Sequence, residues 1–304
     1  ISVSLLDDCS MIICLSANSS WYLYNFRKEL IKRLIANSYT VITISPHDNF
    51  SHRLERLGCE TYSIDIDSKG LNPFKEVKTF LQYLALYRAI RPNAVNHFTI
   101  KPVLYGSISA MILNIKSINP ITGLGTAFLA GNVLRLIATR LLKVALYKSH
   151  AVFFQNANDR SLFLRSGIIS SSRAILVPGS GINLNYYSLN NISNASLGLF
   201  LLPARMLWDK GIGEFVEAAR IVKTRGLEAR FRLVGPTGVS NRTSIPVETI
   251  SMWTREGVVE YQGMVDDIRP TLASASCVVL PSYREGMSRI LLEACAVGRP
   301  IITT

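Results

Sequence analysis

Apolar residues run along this chain in short bursts that alternate with stretches of helical spacing. Met11 to Leu15 is apolar and is closed by the polar turn Ser16-Ala17-Asn18-Ser19-Ser20, after which Tyr22 to Leu34 places apolar residues three and four apart. That reads as strand, turn and helix. The pattern recurs with a β-branched strand at Thr40 to Ile44, a helix at Asp48 to Leu57, a strand at Thr61 to Ile66 and a long amphipathic helix at Asn72 to Ile90. Ala94 to Phe98 adds a strand, Pro102 to Leu113 a helix, and Ala151 to Gln155 and Ala174 to Val177 two later strands. Such alternation predicts a parallel sheet covered by helices on both faces.

Between Ser188 and Gly198 the periodicity fails in a polar stretch that reads as a linker. A second alternating series follows: strand Leu199 to Pro203, helix Ile212 to Arg225, strand Arg230 to Val234, strand Cys277 to Leu280, a helix from Arg284 to about Val297 and strand Pro300 to Thr303. The expected fold is α/β with two Rossmann-like doubly wound domains, residues 1–190 and 191–304, the second lacking its C-terminal remainder. Ile1 to Ser10 has no clear period, and Met11 is the expected natural start.

Charge divides unevenly. Through Ala195 there are 20 Lys and Arg against 10 Asp and Glu, and beyond it 13 against 11, so the first part carries +10 of the total +12. That basicity predicts an anionic partner: a membrane surface, a phosphorylated lipid or nucleic acid. Val133 to Tyr147 mixes Arg135, Arg140 and Lys143 with Leu, Ile and Val, and reads either as a helix on an anionic bilayer or as a core-facing helix with solvated charges. The five cysteines show neither zinc nor redox spacing and read as buried apolar residues in a reducing compartment. No apolar run reaches membrane-spanning length and no secretory leader is visible, so a cytoplasmic or peripheral protein is expected.

Tyr283-Arg284-Glu285-Gly286-Met287-Ser288-Arg289 follows a buried strand and opens a helix, which places Glu285 where open α/β sheets bind ligands. The N–H groups of Ser288, Arg289 and Ile290 would face a phosphate there, and Glu293 follows Glu285 by eight residues. Two isolated glutamates read more plainly as a helix cap and a surface residue. Arg205 and Lys210 lie five apart on the loop leaving the domain's first strand, where a planar fork and a compact charge suit a diphosphate. Alone they are a solvated loop pair.

Taken together these blocks resemble glycosyltransferase family 4, whose retaining enzymes have the GT-B fold. Glu285 and Glu293 match its E-x7-E motif, and Arg205 with Lys210 its phosphate-binding pair. Leu233-Val234-Gly235-Pro236, Glu260-Tyr261-Gln262-Gly263 and Pro281-Ser282-Tyr283-Arg284-Glu285-Gly286 match further blocks. The resemblance implies that Arg205 and Lys210 hold the donor diphosphate, Glu293 the ribose and Glu285 the transferred sugar. Gly286, Met287, Ser288, Arg289 and Ile290 would frame the phosphate, Gly235 the donor loop, and Met264 and Val265 the base.

In the first half, Asn18-Ser19-Ser20-Trp21 stands where relatives carry a glycine-rich loop. Ser19 and Ser20 read equally as donor contacts and as helix caps. Trp21 to Arg27, Asn96 to Pro102 and Ile121-Thr122-Gly123-Leu124-Gly125 resemble a subgroup that transfers sugars such as N-acetylgalactosamine to polyprenyl-diphosphate acceptors. His97 ends a strand and reads as a catalytic group or a structural one. Thr99 and Lys101 are acceptor-side candidates.

The reading is a retaining transferase that moves a hexose or N-acetylhexosamine from a UDP-sugar co-substrate to a polyprenyl-diphosphate-linked saccharide, without cofactor or metal. Asp65-Ile66-Asp67 reads as two solvated carboxylates rather than a magnesium site. A sugar-nucleotide epimerase and an inactive donor binder are the rivals. Nucleic acid is not expected, because Trp21, Tyr22, Tyr24 and Phe26 fall in one turn and helix instead of interleaving with basic strands.

Overall fold

The computed structural model describes residues 11–67, 72–122, 132–187, 196–239, 241 and 243–304, with backbone alone for 132–135. Two compact units divide between Gly179 and Ser180, so Ser180 to Tyr187 joins the second unit rather than the first. The bulk of the expected linker, 188–195, and the motif residues Gly123, Leu124 and Gly125 lie outside the described residues.

The first unit holds β1 (Ile12–Ser16), α1 (Ser20–Ala36), β2 (Thr40–Ser45), α2 (Ser51–Glu55), β3 (Glu60–Ser63), α3 (Pro73–Ile90) and β4 (Ala94–His97). A π-helical turn, Pro102–Gly106, leads into α4 (Ser107–Ile112), then β5 (Lys116–Ile121), α5 (Asn132–Ala145), β6 (Ala151–Phe154), α6 (Ala157–Arg165) and β7 (Ala174–Leu176). The sheet order is β3-β2-β1-β4-β5-β6-β7, every described pair parallel. Successive side chains of β1 feed opposite faces: Cys14 packs with Tyr83 and Tyr87 of α3, and Leu15 with Leu23 and Ile31 of α1. Strand β5 and helix α6 are additions to the sequence reading. Lys116, Asn119 and Pro120 interrupt the apolar run that would have announced β5.

Local chemistry sets the ends of α3. The Asn72 side chain accepts from the Phe74 N–H, Pro73 takes the first turn, and Arg91 adopts a left-handed φ of 52° just before Pro92. Ser19 and Asn156 cap α1 and α6 in the same way.

The second unit contains β8 (Leu199–Pro203), α7 (Ile212–Thr224), β9 (Arg230–Val234), α8 (Val247–Arg255), β10 (Glu260–Tyr261), α9 (Arg269–Ser274), β11 (Cys277–Leu280), α10 (Arg289–Ala296) and β12 (Ile301–Thr303). Its order is β10-β9-β8-β11-β12, again parallel throughout. Leu202 and Leu233 pack with Phe215 and Trp253 on one face, and Leu201 and Val278 with Ala294 and Leu272 on the other. The order reverses between β8 and β11, which opens a crevice at their carboxyl ends.

Candidate active site

The loops leaving β8 and β11 form that crevice, and their backbones are tied together. Ser282 Oγ donates to the Asp209 carbonyl at 3.1 Å, and the Tyr283 N–H donates to the same oxygen at 3.1 Å. This tie brings Lys210 to Glu285, whose side chains form an ion pair. Arg205, on the same loop as Lys210, is exposed and has no side-chain partner among the described residues. A cation held ready at the crevice and a second cation paired only to a carboxylate suit a diphosphate ligand.

Helix α10 begins at Arg289 with Ser288 as its N-cap, and the Ser288 side chain makes no capping bond. The helix starts later than the sequence pattern suggests, so Glu285, Gly286 and Met287 belong to the loop. One turn in, Glu293 is buried, with 7% of its surface exposed. Arg289 Nε donates to its Oε1 at 2.9 Å, and the Tyr187 hydroxyl donates to the same carboxylate. Burial raises the Glu293 pKa, opposed by Tyr187 and Arg289. Ile290 packs partly against the core beside Val297.

At the end of β9, Gly235 has φ of 137°, and a Cβ there would meet the Ala204 carbonyl oxygen at 2.0 Å. Its N–H donates to the Gly263 carbonyl at 2.8 Å, and Tyr261 Oη donates to its carbonyl at 2.9 Å. The absence of a side chain thus lets the Ala204-Arg205 loop lie across β9. Met264 is exposed, whereas Val265 packs partly against the cluster of Tyr187, Leu201 and Val234. Of these two, Met264 alone offers its side chain broadly to solvent.

The first unit corrects several expectations. His97 is fully buried: its Nε2 lies 2.8 Å from the Tyr87 hydroxyl and its Nδ1 2.9 Å from Asn119 Oδ1, with Ser107 Oγ at 3.3 Å. Burial pushes its pKa down to about 4. Both ring nitrogens are engaged inside the unit, so His97 is a structural residue here and not an exposed proton carrier. Ser20 bonds Ser45 and Ser51 at 2.8 and 2.9 Å and is likewise internal, while Ser19 caps α1 by accepting from the Tyr22 N–H. The Ser20 hydroxyl is thus spent on the fold, and Ser19 fills the cap role that the sequence allows beside a donor contact. Thr99 Oγ1 accepts from the Asn18 N–H at 2.9 Å, pinning the turn after β1 to the loop after β4. Lys101, read as an acceptor-side candidate, is buried and pairs with Glu76 of α3, so its charge is met inside the unit. Asp65 and Asp67 pair with Lys78 and Lys75.

Comparison with known proteins decides the family. A family model for glycosyl transferases group 1 matches residues 198–304, and one for glycosyl transferase 4-like proteins matches residues 12–156. Each match falls on one of the two sheets. The chain is a glycosyltransferase of this family, with the GT-B fold. It is 27% identical over 299 residues to the N,N'-diacetylbacillosaminyl-diphospho-undecaprenol alpha-1,3-N-acetylgalactosaminyltransferase of Campylobacter jejuni, covering 93% of this chain and 77% of that one. The capsular polysaccharide biosynthesis glycosyltransferase CapM of Staphylococcus aureus is 23% identical over 246 residues, 76% of this chain and 63% of its own length. Among solved structures, Anabaena HepE in complex with UDP-glucose superposes with a TM-score of 0.73 at 16% identity, over 96% of this chain and 80% of that one.

Within this glycosyltransferase two residues join the site that sequence reasoning passed over. Tyr187 reaches Glu293 from the segment before the polar linker, and Asp209 ties the β8 and β11 loops while its carboxylate accepts from Thr243 Oγ1 at 2.9 Å. Neither sits in a recognisable spacing. The Tyr186-Tyr187 pair beside a polar tract was the one signal available for the first.

Proposed function

We propose that this glycosyltransferase takes a hexose or N-acetylhexosamine from a UDP-sugar and passes it, with the anomeric configuration kept, to a hydroxyl of a polyprenyl-diphosphate-linked saccharide in surface polysaccharide or glycan assembly. The observation that carries the reading is the Lys210–Glu285 pair at the switch point of the second sheet, with Arg205 exposed on the same loop as Lys210 and Glu293 buried one turn into α10. As the bond from the sugar to the diphosphate breaks, negative charge grows on the departing oxygens. Lys210 and Arg205 are the cations that would meet it, and the amino end of α10 adds its dipole. Fixed groups supply this stabilisation in the proposal, so no metal or cofactor is assigned a role. Glu293 would accept from the ribose hydroxyls and Glu285 from the transferred sugar.

The acceptor assignment draws on the printed activity of the Campylobacter relative. Among the described residues no helix is long and apolar enough to cross a membrane. In this reading the enzyme meets its lipid-linked acceptor as a peripheral protein at the cytoplasmic face of the membrane. A panel of nucleotide sugars, each tested for protection against heat unfolding and then for transfer of labelled sugar into an organic-extractable lipid fraction, tests both halves. Protection by a UDP-sugar with lipid labelling is expected. Protection only by other nucleotides would overturn the donor, and label confined to water-soluble product would overturn the acceptor.

A further inference from the structure

Helix α5 buries one side and leaves an apolar face in water. Leu142, Ala145 and Leu146 pack into the core with Val152 and Phe154, as an amphipathic helix should. On the opposite side Leu136, Ile137, Leu141 and Val144 are each about half exposed, at 53, 49, 46 and 52%. Arg140 and Lys143 lie exposed among them. The helix therefore faces the core on one side and carries exposed apolar residues beside its solvated charges on the other. Tyr147, just past its end, is 66% exposed and gives the face an aromatic with a polar tip.

The charge carried by this segment is of one sign. From Asn132 to Lys148 the chain contains no aspartate or glutamate, yet it carries Arg135, Arg140, Lys143 and Lys148. A protein partner would ordinarily be met by mixed charge, whereas a helix whose own charges are all positive, set among exposed apolar side chains, matches a surface that is anionic outside and hydrocarbon within. We infer that the outer face of α5 docks on an anionic lipid bilayer, with Leu136, Ile137, Leu141 and Val144 entering the interfacial layer and Arg140 and Lys143 meeting lipid phosphates. The inference rests on the peripheral location proposed above and deepens it by naming the surface that makes the contact, and its test needs neither donor nor acceptor.

The test is flotation of the full chain at low salt with vesicles of phosphatidylcholine and phosphatidylglycerol in equal parts, against vesicles of phosphatidylcholine alone. The protein is expected to float with the anionic vesicles and to remain behind with the neutral ones. The paired change Arg140→Ala and Lys143→Ala should lower the partition coefficient roughly thirtyfold, the combined effect of two cations near an anionic surface. Leu141→Asp with Val144→Asp, which alters exposed positions only, should abolish flotation while leaving the melting temperature unchanged. Absence of flotation, or equal flotation of wild type and the Arg140 and Lys143 variant, overturns the inference. So does a wild-type dimer that Leu141→Asp splits, since a second copy would then cover the face. Because no sugar is present, failure here leaves the transferase reading standing, and failure of transfer leaves vesicle binding to be judged by itself.

Discussion

Lys210 and Glu285 stand 75 residues apart in sequence, yet their side chains form an ion pair. The tie between the β8 and β11 loops makes this possible, because Asp209 accepts from both Ser282 and Tyr283. Within the proposed mechanism the Lys210 charge strengthens its contact as the diphosphate departs, so its loss should fall on the chemical step. Lys210→Ala is expected to lower kcat about 100-fold or more while changing donor KM little. Steady-state kinetics with labelled donor reads both parameters, and an unchanged kcat with raised KM would assign Lys210 to ground-state binding instead.

Glu293 and Tyr187 should behave differently. The ribose is chemically unchanged during transfer, so Glu293→Ala is expected mainly to raise donor KM. Tyr187→Phe keeps the ring in its cluster and removes only the hydroxyl that orients the carboxylate. One such hydrogen bond is worth about 1 kcal/mol, so donor KM should rise about fivefold at nearly constant kcat. The penalty should vanish with a donor whose ribose lacks its hydroxyls. A penalty that persists would mean Tyr187 acts on folding and not on the nucleotide.

His97 gives a pH signature in stability. Its folded pKa is depressed to about 4, whereas in the unfolded chain the imidazole titrates at its ordinary 6.5, so between those values the unfolded state binds more protons. Its contribution is complete above the unfolded value and declines as pH falls towards the folded one. Spread over that window, the loss reaches about 3 kcal/mol at roughly 1.4 kcal/mol per pH unit. The urea midpoint should fall accordingly on going from neutral to acidic pH, and His97→Gln should flatten the difference. An equal fall in the variant would place the effect on other groups.

Gly235→Ala tests the close approach beneath the donor loop. The new methyl would meet a backbone carbonyl at 2.0 Å in addition to straining φ, whereas Gly238, at φ of 64°, has nothing within 4 Å. Gly238→Ala should destabilise by about 1 kcal/mol, the strain of the left-handed region alone. Gly235→Ala should exceed it by about 2 kcal/mol or more, because the backbone must move. Thermal melts of the two variants compare them directly, and equal losses would show that the loop yields freely.

The alternation of apolar runs and helical stretches determined the α/β class, the two sheets and the end of each sheet at which ligands bind, because burial on both faces demands continuous apolar strands and crossover helices. The ordered blocks from Arg205 to Glu293 marked the resemblance because each is a short local pattern of residue types legible without the fold. Strand β5 escaped because Lys116, Asn119 and Pro120 break its run, and Asn119 is needed inside for His97. Tertiary structure alone decided which polar groups are spent internally. In sequence His97 and Ser20 read as site or structural residues and Lys101 as an acceptor-side candidate, and each meets partners brought from other elements: Tyr87 and Asn119, Ser45 and Ser51, and Glu76. It alone joined Tyr187 to Glu293 and turned the apolar side of α5 outward. Periodicity reports that a helix has an apolar stripe. Which side of it is covered depends on what packs there, and that is a property of distant residues meeting in space.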